Sequence, residues 1–196
     1  METYTATDII KYLKKNRLDL FTLDSFGNLF NIKNQDTIYK KIQRLEKKGI
    51  VKKLIKGKYS FLLNTANDFK LANFLYQPSY ISLESALSFY GIITGFPYKI
   101  ISLTVKKTRT FEIDNKEFSY CHINENLFWG YEKKDDFLIA EKEKALLDLI
   151  YFYTKGLRSL DIEEIDTTGI NKKILLNYGK RFQNKKLLAV IKEKIL

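Results

Sequence analysis

The sequence has one cysteine, Cys121, and one histidine, His122. A lone cysteine excludes an internal disulfide and points to a reducing compartment. A lone histidine excludes a His-based metal cluster, and Cys121 and His122 side by side on a strand would point to opposite faces. Only two prolines occur, and no low-complexity linker or internal repeat breaks the chain. No run approaches the ~18 uncharged apolar residues of a membrane span; the best candidate, ALLDLIYFY, contains Asp148. The stretch METYTATDIIKYLKK has no apolar signal core. The expectation is a soluble, cytoplasmic protein with no membrane partner.

Catalytic signatures are missing too. GIITGF lacks the Lys-Ser/Thr of a phosphate-binding loop, and there is no nucleophile elbow. Glu84, Glu141, Glu143 and Asp148 read as acids at helix starts or on solvated faces, where a helix N-terminus favours them. The chain is expected not to be an enzyme and to hold no cofactor and no metal.

Positive charge is what the sequence has in excess. Its 196 residues carry 34 Lys or Arg against 23 Asp or Glu, a formal charge of +11. An apolar fraction of 45% is ordinary for a globular chain, so the excess is not a sign of disorder. A basic balance suits a polyanionic partner, although a Lys-rich genome gives the same bias. Distribution is more telling. Residues 1–68 hold 14 cations and seven acids, and Lys40–Lys58 alone hold nine cations and one acid, Glu46.

That basic stretch falls in a unit spanning about 5–63, read as three helices and a hairpin. ATDIIKYLKKN puts Ile9, Ile10 and Leu13 on one helical face. Thr22 is an N-cap before Leu23, Phe26, Leu29 and Phe30. After a short turn, NIKNQ, a third helix over about Gln35–Lys48 has Ile38, Ile42 and Leu45 inward, with Gly49 as its stop. IVKKLIKGKYSFLL reads as two strands around Lys56-Gly57-Lys58. This is the plan of a winged helix-turn-helix. The fold class expected is α+β: a winged helix-turn-helix over residues 1–66, then a mixed α/β domain over residues 67–196 ending in helices. In that second domain NTANDFKLANF runs into a helix. Ser82 caps a helix that stops near Gly91, and five strands follow in KIISLTVKKT, TFEID, EFSYCHI, LFWGYEKK and FLIA. A helix then buries Leu146, Leu149, Ile150 and Tyr153, and three short helices end the chain.

On a helical wheel, Asp36, Lys40, Gln43 and Lys47 of the third helix lie opposite the apolar stripe, flanked by Thr37 and Arg44. The N-terminal half of such a helix enters the major groove, which makes Gln35, Thr37 and Lys40, with Asp36, the candidate base readers. Lys41, Arg44 and Lys47 are candidate phosphate contacts, and Lys56 and Lys58 sit at the wing. A Lys-rich helix face is commonly just solvated. The coincidence of helix spacing, a one-signed face and a basic wing favours double-stranded DNA as partner.

The second unit brings a family resemblance. PSYISLESALSFYGII, then TVKKTRTFEIDNKEFSYCHINENLFWGY, then AEKEKALLDLIY resemble the AbiEi antitoxins of type IV toxin–antitoxin, or abortive-infection, systems. Tyr80–Leu87 match the family's Tyr-(Val/Ile)-Ser-Leu-Glu-Ser-Ala-Leu. Thr104, Val105 and Arg109 match its Thr-Val and Arg, Phe118 and Tyr120 its Phe-x-Tyr, and Glu143–Asp148 its Glu-Lys-Ala-Leu-Leu-Asp. Lys142 stands where the family has proline. The resemblance covers about 5–155, because the helix around TLDSF and the KGKY wing share it. It implies a repressor that binds inverted repeats in its own promoter and counteracts a nucleotidyltransferase-like toxin without a stable complex. It also suits a monomer or weak dimer that binds DNA cooperatively. The alternative is a stand-alone winged-helix regulator with no toxin partner. A further reading, a second unit that is an enzyme or binds RNA through its tyrosines and TVKKTR, is weaker, since the aromatics are spread as core aromatics are.

Overall fold

The computed structural model describes residues 4–64, 66–95, 98–161 and 163–195. The chain is mixed α+β and divides into two compact units, Met1–Leu75 and Tyr76–Leu196.

The first unit opens with α1 (Ala6–Lys15), β1 (Leu20–Thr22), α2 (Leu23–Leu29) and α3 (Gln35–Lys47). It continues with β2 (Val51–Ile55), β3 (Lys58–Phe61) and α4 (Asp68–Leu75). Each of the first three helices begins on a polar side chain that accepts from a backbone N–H: Thr5 from Asp8, Thr22 from Ser25 and Asn34 from Thr37. Such caps satisfy donors that no helical carbonyl can reach. Gly49 ends α3 with φ +66°, and Gly57 turns the β2–β3 hairpin with φ +76°, both in the left-handed region that glycine enters freely. Strand order is β1-β3-β2, all antiparallel, with Phe21 opposite Tyr59 and Val51 opposite Phe61. Ile9, Leu13, Phe26, Phe30, Ile38, Ile42 and Leu45 pack with those four into one core. Each such side chain stabilises by about 1.5–3 kcal/mol when fully buried. The short strand β1 was not anticipated from sequence, nor was its pairing to β3.

The second unit holds a six-stranded sheet in the order β6-β7-β5-β4-β9-β8. Its elements are β4 (Tyr80–Ile81), α5 (Leu83–Phe89), β5 (Lys99–Thr104), β6 (Arg109–Ile113), β7 (Lys116–His122), β8 (Tyr131–Lys134) and β9 (Phe137–Ala140). Then come α6 (Lys142–Thr154), α7 (Lys172–Arg181) and α8 (Lys185–Lys194). The five strands expected from sequence all form, and β4 is an addition between β5 and β9. Among its described residues the tail has two helices where three were expected. The described residues of 157–171 form none; Ile165 instead bridges to Ile93.

Two expectations are corrected around α6. Asp148 is fully buried, neither at a helix start nor solvated, whereas Glu143 stands in the first turn of α6 as expected and is nearly buried. Glu143 accepts from the Asn171 backbone N–H at 2.8 Å, which fixes the start of α7. Asp148 accepts from the Ser82 hydroxyl at 2.8 Å, from the Tyr80 hydroxyl at 3.2 Å, and from the Lys144 ammonium. Lys144 is equally buried and donates to the Tyr80 oxygen at 2.9 Å. Ser82 therefore occupies the N-cap position of α5 but makes no side-chain cap, because its hydroxyl is spent on Asp148. Burial pushes the Asp148 carboxyl up and the Lys144 ammonium down, and their mutual attraction opposes both shifts.

Candidate nucleic-acid interface

A basic surface is built on α3. Its position is set from within: Ile38, Ile42 and Leu45 are buried, and the Asn34 carboxamide oxygen accepts from the Thr37 backbone N–H at 2.9 Å. Asp36 in the first turn and Arg44 and Lys47 in the last suit the helix dipole. With the stripe inward, Asp36, Lys40, Gln43, Arg44 and Lys47 are exposed. Glu46, the single acid of the basic stretch, bends back to accept from the Lys53 N–H at 3.3 Å. Beyond its first turn the outer face of α3 thus carries cations, Gln43 and the exposed ring of Tyr39.

Five sequence candidates converge. Thr37, Lys40, Lys41, Arg44 and Lys47 line a groove of about 600 Å³ between α3 and the first turn of α1. Lys48 lines it too and was missed, because it sits at the end of the helix, where a wheel is least informative. Tyr4, Ala6, Ile9 and Leu45 supply the groove's apolar lining. Thr37 takes part with a committed hydroxyl, which donates to the Asn34 cap oxygen at 3.1 Å. Where the groove meets α1, Asp8 accepts from the Thr5 N–H and hydroxyl, and these bonds hold its carboxyl below the ordinary 3.8.

The other three candidates lie apart. Gln35 is exposed but lines a separate cleft of about 380 Å³ against α2, with Asp24, Asn28 and Lys33. Lys56 is exposed beside Gly57 at the hairpin turn. Lys58 is half-buried, and its ammonium donates to the carbonyls of Phe74 and, at 3.1 Å, Leu75. It caps the C-terminus of α4, where the helix dipole welcomes a cation, and lies 5.1 Å from the centroid of the Phe74 ring. Tyr59 is core, as its position opposite Phe21 requires, and desolvation raises its hydroxyl pKa. Tyr39 keeps 44% of its surface exposed on α3.

Among the described residues no helix is long and apolar enough to cross a membrane, and no group of three or more His, Cys, Asp or Glu could hold a metal ion. No family profile and no curated protein sequence matches the chain.

Proposed function

We propose that the first unit is a winged helix-turn-helix that binds double-stranded DNA, and that the chain is a cytoplasmic repressor of its own operon. The observation that carries this reading is the juxtaposition of five cations on one side of α3, Lys40, Lys41, Arg44, Lys47 and Lys48, around a single groove. The chain order of helices and strands and the β1-β3-β2 sheet support it, since a wing built that way flanks the third helix. In this reading Lys40 and Gln43 face the bases. Lys41, Arg44, Lys47 and Lys48 hold phosphates, and Lys56 reaches the backbone beside the groove. Lys58 serves the fold of the unit.

A gel-shift titration of the full chain on DNA from upstream of its gene tests this. Binding should be sequence-selective, and log affinity should fall steeply with log salt. Lys41→Ala should weaken binding alike on all sequences and lower the salt slope by about 1, whereas Lys40→Ala should cost about 1–3 kcal/mol on the operator alone. Parent-like binding by both variants at about 0.15 M salt would sink the assignment of α3.

The antitoxin role rests on the AbiEi resemblance. It predicts that the chain restores growth to cells expressing a neighbouring nucleotidyltransferase-like reading frame, without co-purifying with that protein. No rescue, alongside intact operator binding, would leave the stand-alone regulator as the better reading.

A further inference from the structure

A second cleft, in the other unit, offers different chemistry. It encloses about 600 Å³ where the end of α6, the turn between α7 and α8, and the single-turn helix Glu125–Leu127 meet. That volume falls in the range of small-molecule sites. Among the described residues no carboxylate lines it, while three lysines do: Lys155, Lys185 and Lys186, all exposed. Amide side chains stand around it, Asn126 and Gln183 among them. Tyr151 is half-buried in its wall, with the Phe182 ring behind it at 5.5 Å and the Lys155 ammonium 5.5 Å from its centroid.

The walls are fixed before any ligand arrives. The Asn184 carboxamide caps α8 by accepting from the Leu187 N–H at 3.1 Å and donates to the Thr154 hydroxyl at 3.1 Å. Thr154 in turn donates to the Tyr151 carbonyl at 2.8 Å. Start of one helix and end of another are tied through three polar side-chain contacts. Gln183, in the turn between α7 and α8, holds φ +50°, a conformation that costs energy in a residue with a side chain.

We propose that this cleft binds a nucleoside phosphate. The lysines pair with the phosphate, the Tyr151 ring gives the base a stacking surface, and the amides meet the polar edge of the base. A bare anion would use the lysines and leave the aromatic and amide walls without a role. The proposal is independent of DNA binding by the first unit. The ligand is either a free nucleotide or the phosphorylated end of a strand, since the recognising chemistry is the same.

Equilibrium dialysis of the full chain at about 0.15 M salt tests it, with AMP, adenosine, inorganic phosphate and a 5′-phosphorylated trinucleotide as separate probes. AMP should bind about tenfold more tightly than inorganic phosphate or adenosine. The double variant Lys185→Glu/Lys186→Glu should lose about tenfold or more in AMP affinity with an unchanged circular dichroism spectrum. Tyr151→Leu should weaken AMP and leave phosphate unaffected. Tighter binding of the trinucleotide than of AMP would assign the strand end, and the reverse the free nucleotide. No AMP binding up to roughly 5 mM, parent-like binding by the double lysine variant, or equal affinity for AMP and phosphate, an adventitious ion only, would each overturn the proposal. The two lysines are exposed, so their variant remains decisive even if Tyr151→Leu fails to fold.

Discussion

Lys144 and Asp148 stand four residues apart on α6, the spacing that on a solvated helix gives a pair worth a few tenths of a kcal/mol. Here neither is exposed, and the tyrosine and serine that complete their bonding come from 64 to 68 residues away. The sequence motif is the same in both cases, which is why it reads as surface until the packing of α6 is known. Burial reverses the energetics. Lys144→Met would leave a carboxylate enclosed with only two hydroxyls, and it should cost about 3–5 kcal/mol. Adding Asp148→Asn should recover most of that. Urea unfolding followed by Trp129, the chain's single tryptophan, reports on this pair, because the Lys144 ammonium lies 5.2 Å from its ring. A loss below about 1 kcal/mol, the exposed-pair value, would contradict the buried pairing. Asp8 shows the opposite situation, an exposed carboxylate whose pKa is lowered by the Thr5 hydroxyl and N–H. Its contribution is present above 3.8, its ordinary value, and is lost as pH falls through the lower folded-state value. An NMR titration should show Asp8 titrating below that value in the parent and closer to it in Thr5→Ala, which removes the hydroxyl and keeps the N–H.

At the scale of elements, long periodic segments were legible and short ones were not. The apolar stripes of α1, α3 and α6 and the alternation of β6 and β7 each extend over four residues or more. β1 and β4 have three and two residues, too few for any period to show. They exist because a neighbouring strand offers them hydrogen bonds, a tertiary cause. The expected third tail helix has the same lesson in reverse, since the residues around Ile165 are drawn into a bridge with Ile93 instead. Of the interface candidates, the wheel grouped Thr37, Lys40, Arg44 and Lys47 on adjoining faces. It could not show that Lys58 would turn to the carbonyls of α4. One close approach holds α2 against α3: a Cβ on Gly27 would meet Ile38 Cδ1 at 2.5 Å and the Ile32 carbonyl at 3.0 Å. Gly27→Ala should therefore destabilise the unit by about 1–3 kcal/mol through overpacking. It should also weaken DNA binding by displacing α3. Parent-like stability in thermal unfolding would mean that the Ile38 δ-methyl turns aside and that Gly27 does not set the spacing of the two helices.

For the whole molecule, the boundary between units is instructive. The sequence suggests an end to the first domain at residue 66, where the hairpin stops. The compact unit runs to Leu75 and keeps α4, which is tied back to the earlier chain. Lys70 pairs with Asp19 at 2.9 Å, and Lys58 caps the last turn. A fragment of residues 1–75 should accordingly be more stable to urea than one of residues 1–66, by about 1 kcal/mol or more. Equal midpoints would show that α4 contributes nothing to the first unit.

The fate of Lys58 bears on how this surface can be mapped chemically. An amine must lose its proton and meet solvent before an acylating reagent can modify it. Lys40, Lys47 and Lys56 are exposed, whereas Lys58 is held on two carbonyls and Lys144 is enclosed. In the free protein the first three should be labelled early and the last two late. On the proposed reading, operator DNA should then slow the labelling of Lys40, Lys47 and Lys56 while leaving Lys58 and Lys144 at their low free-protein rates. Those two residues thus provide an internal reference for a mass-spectrometric footprint of the interface.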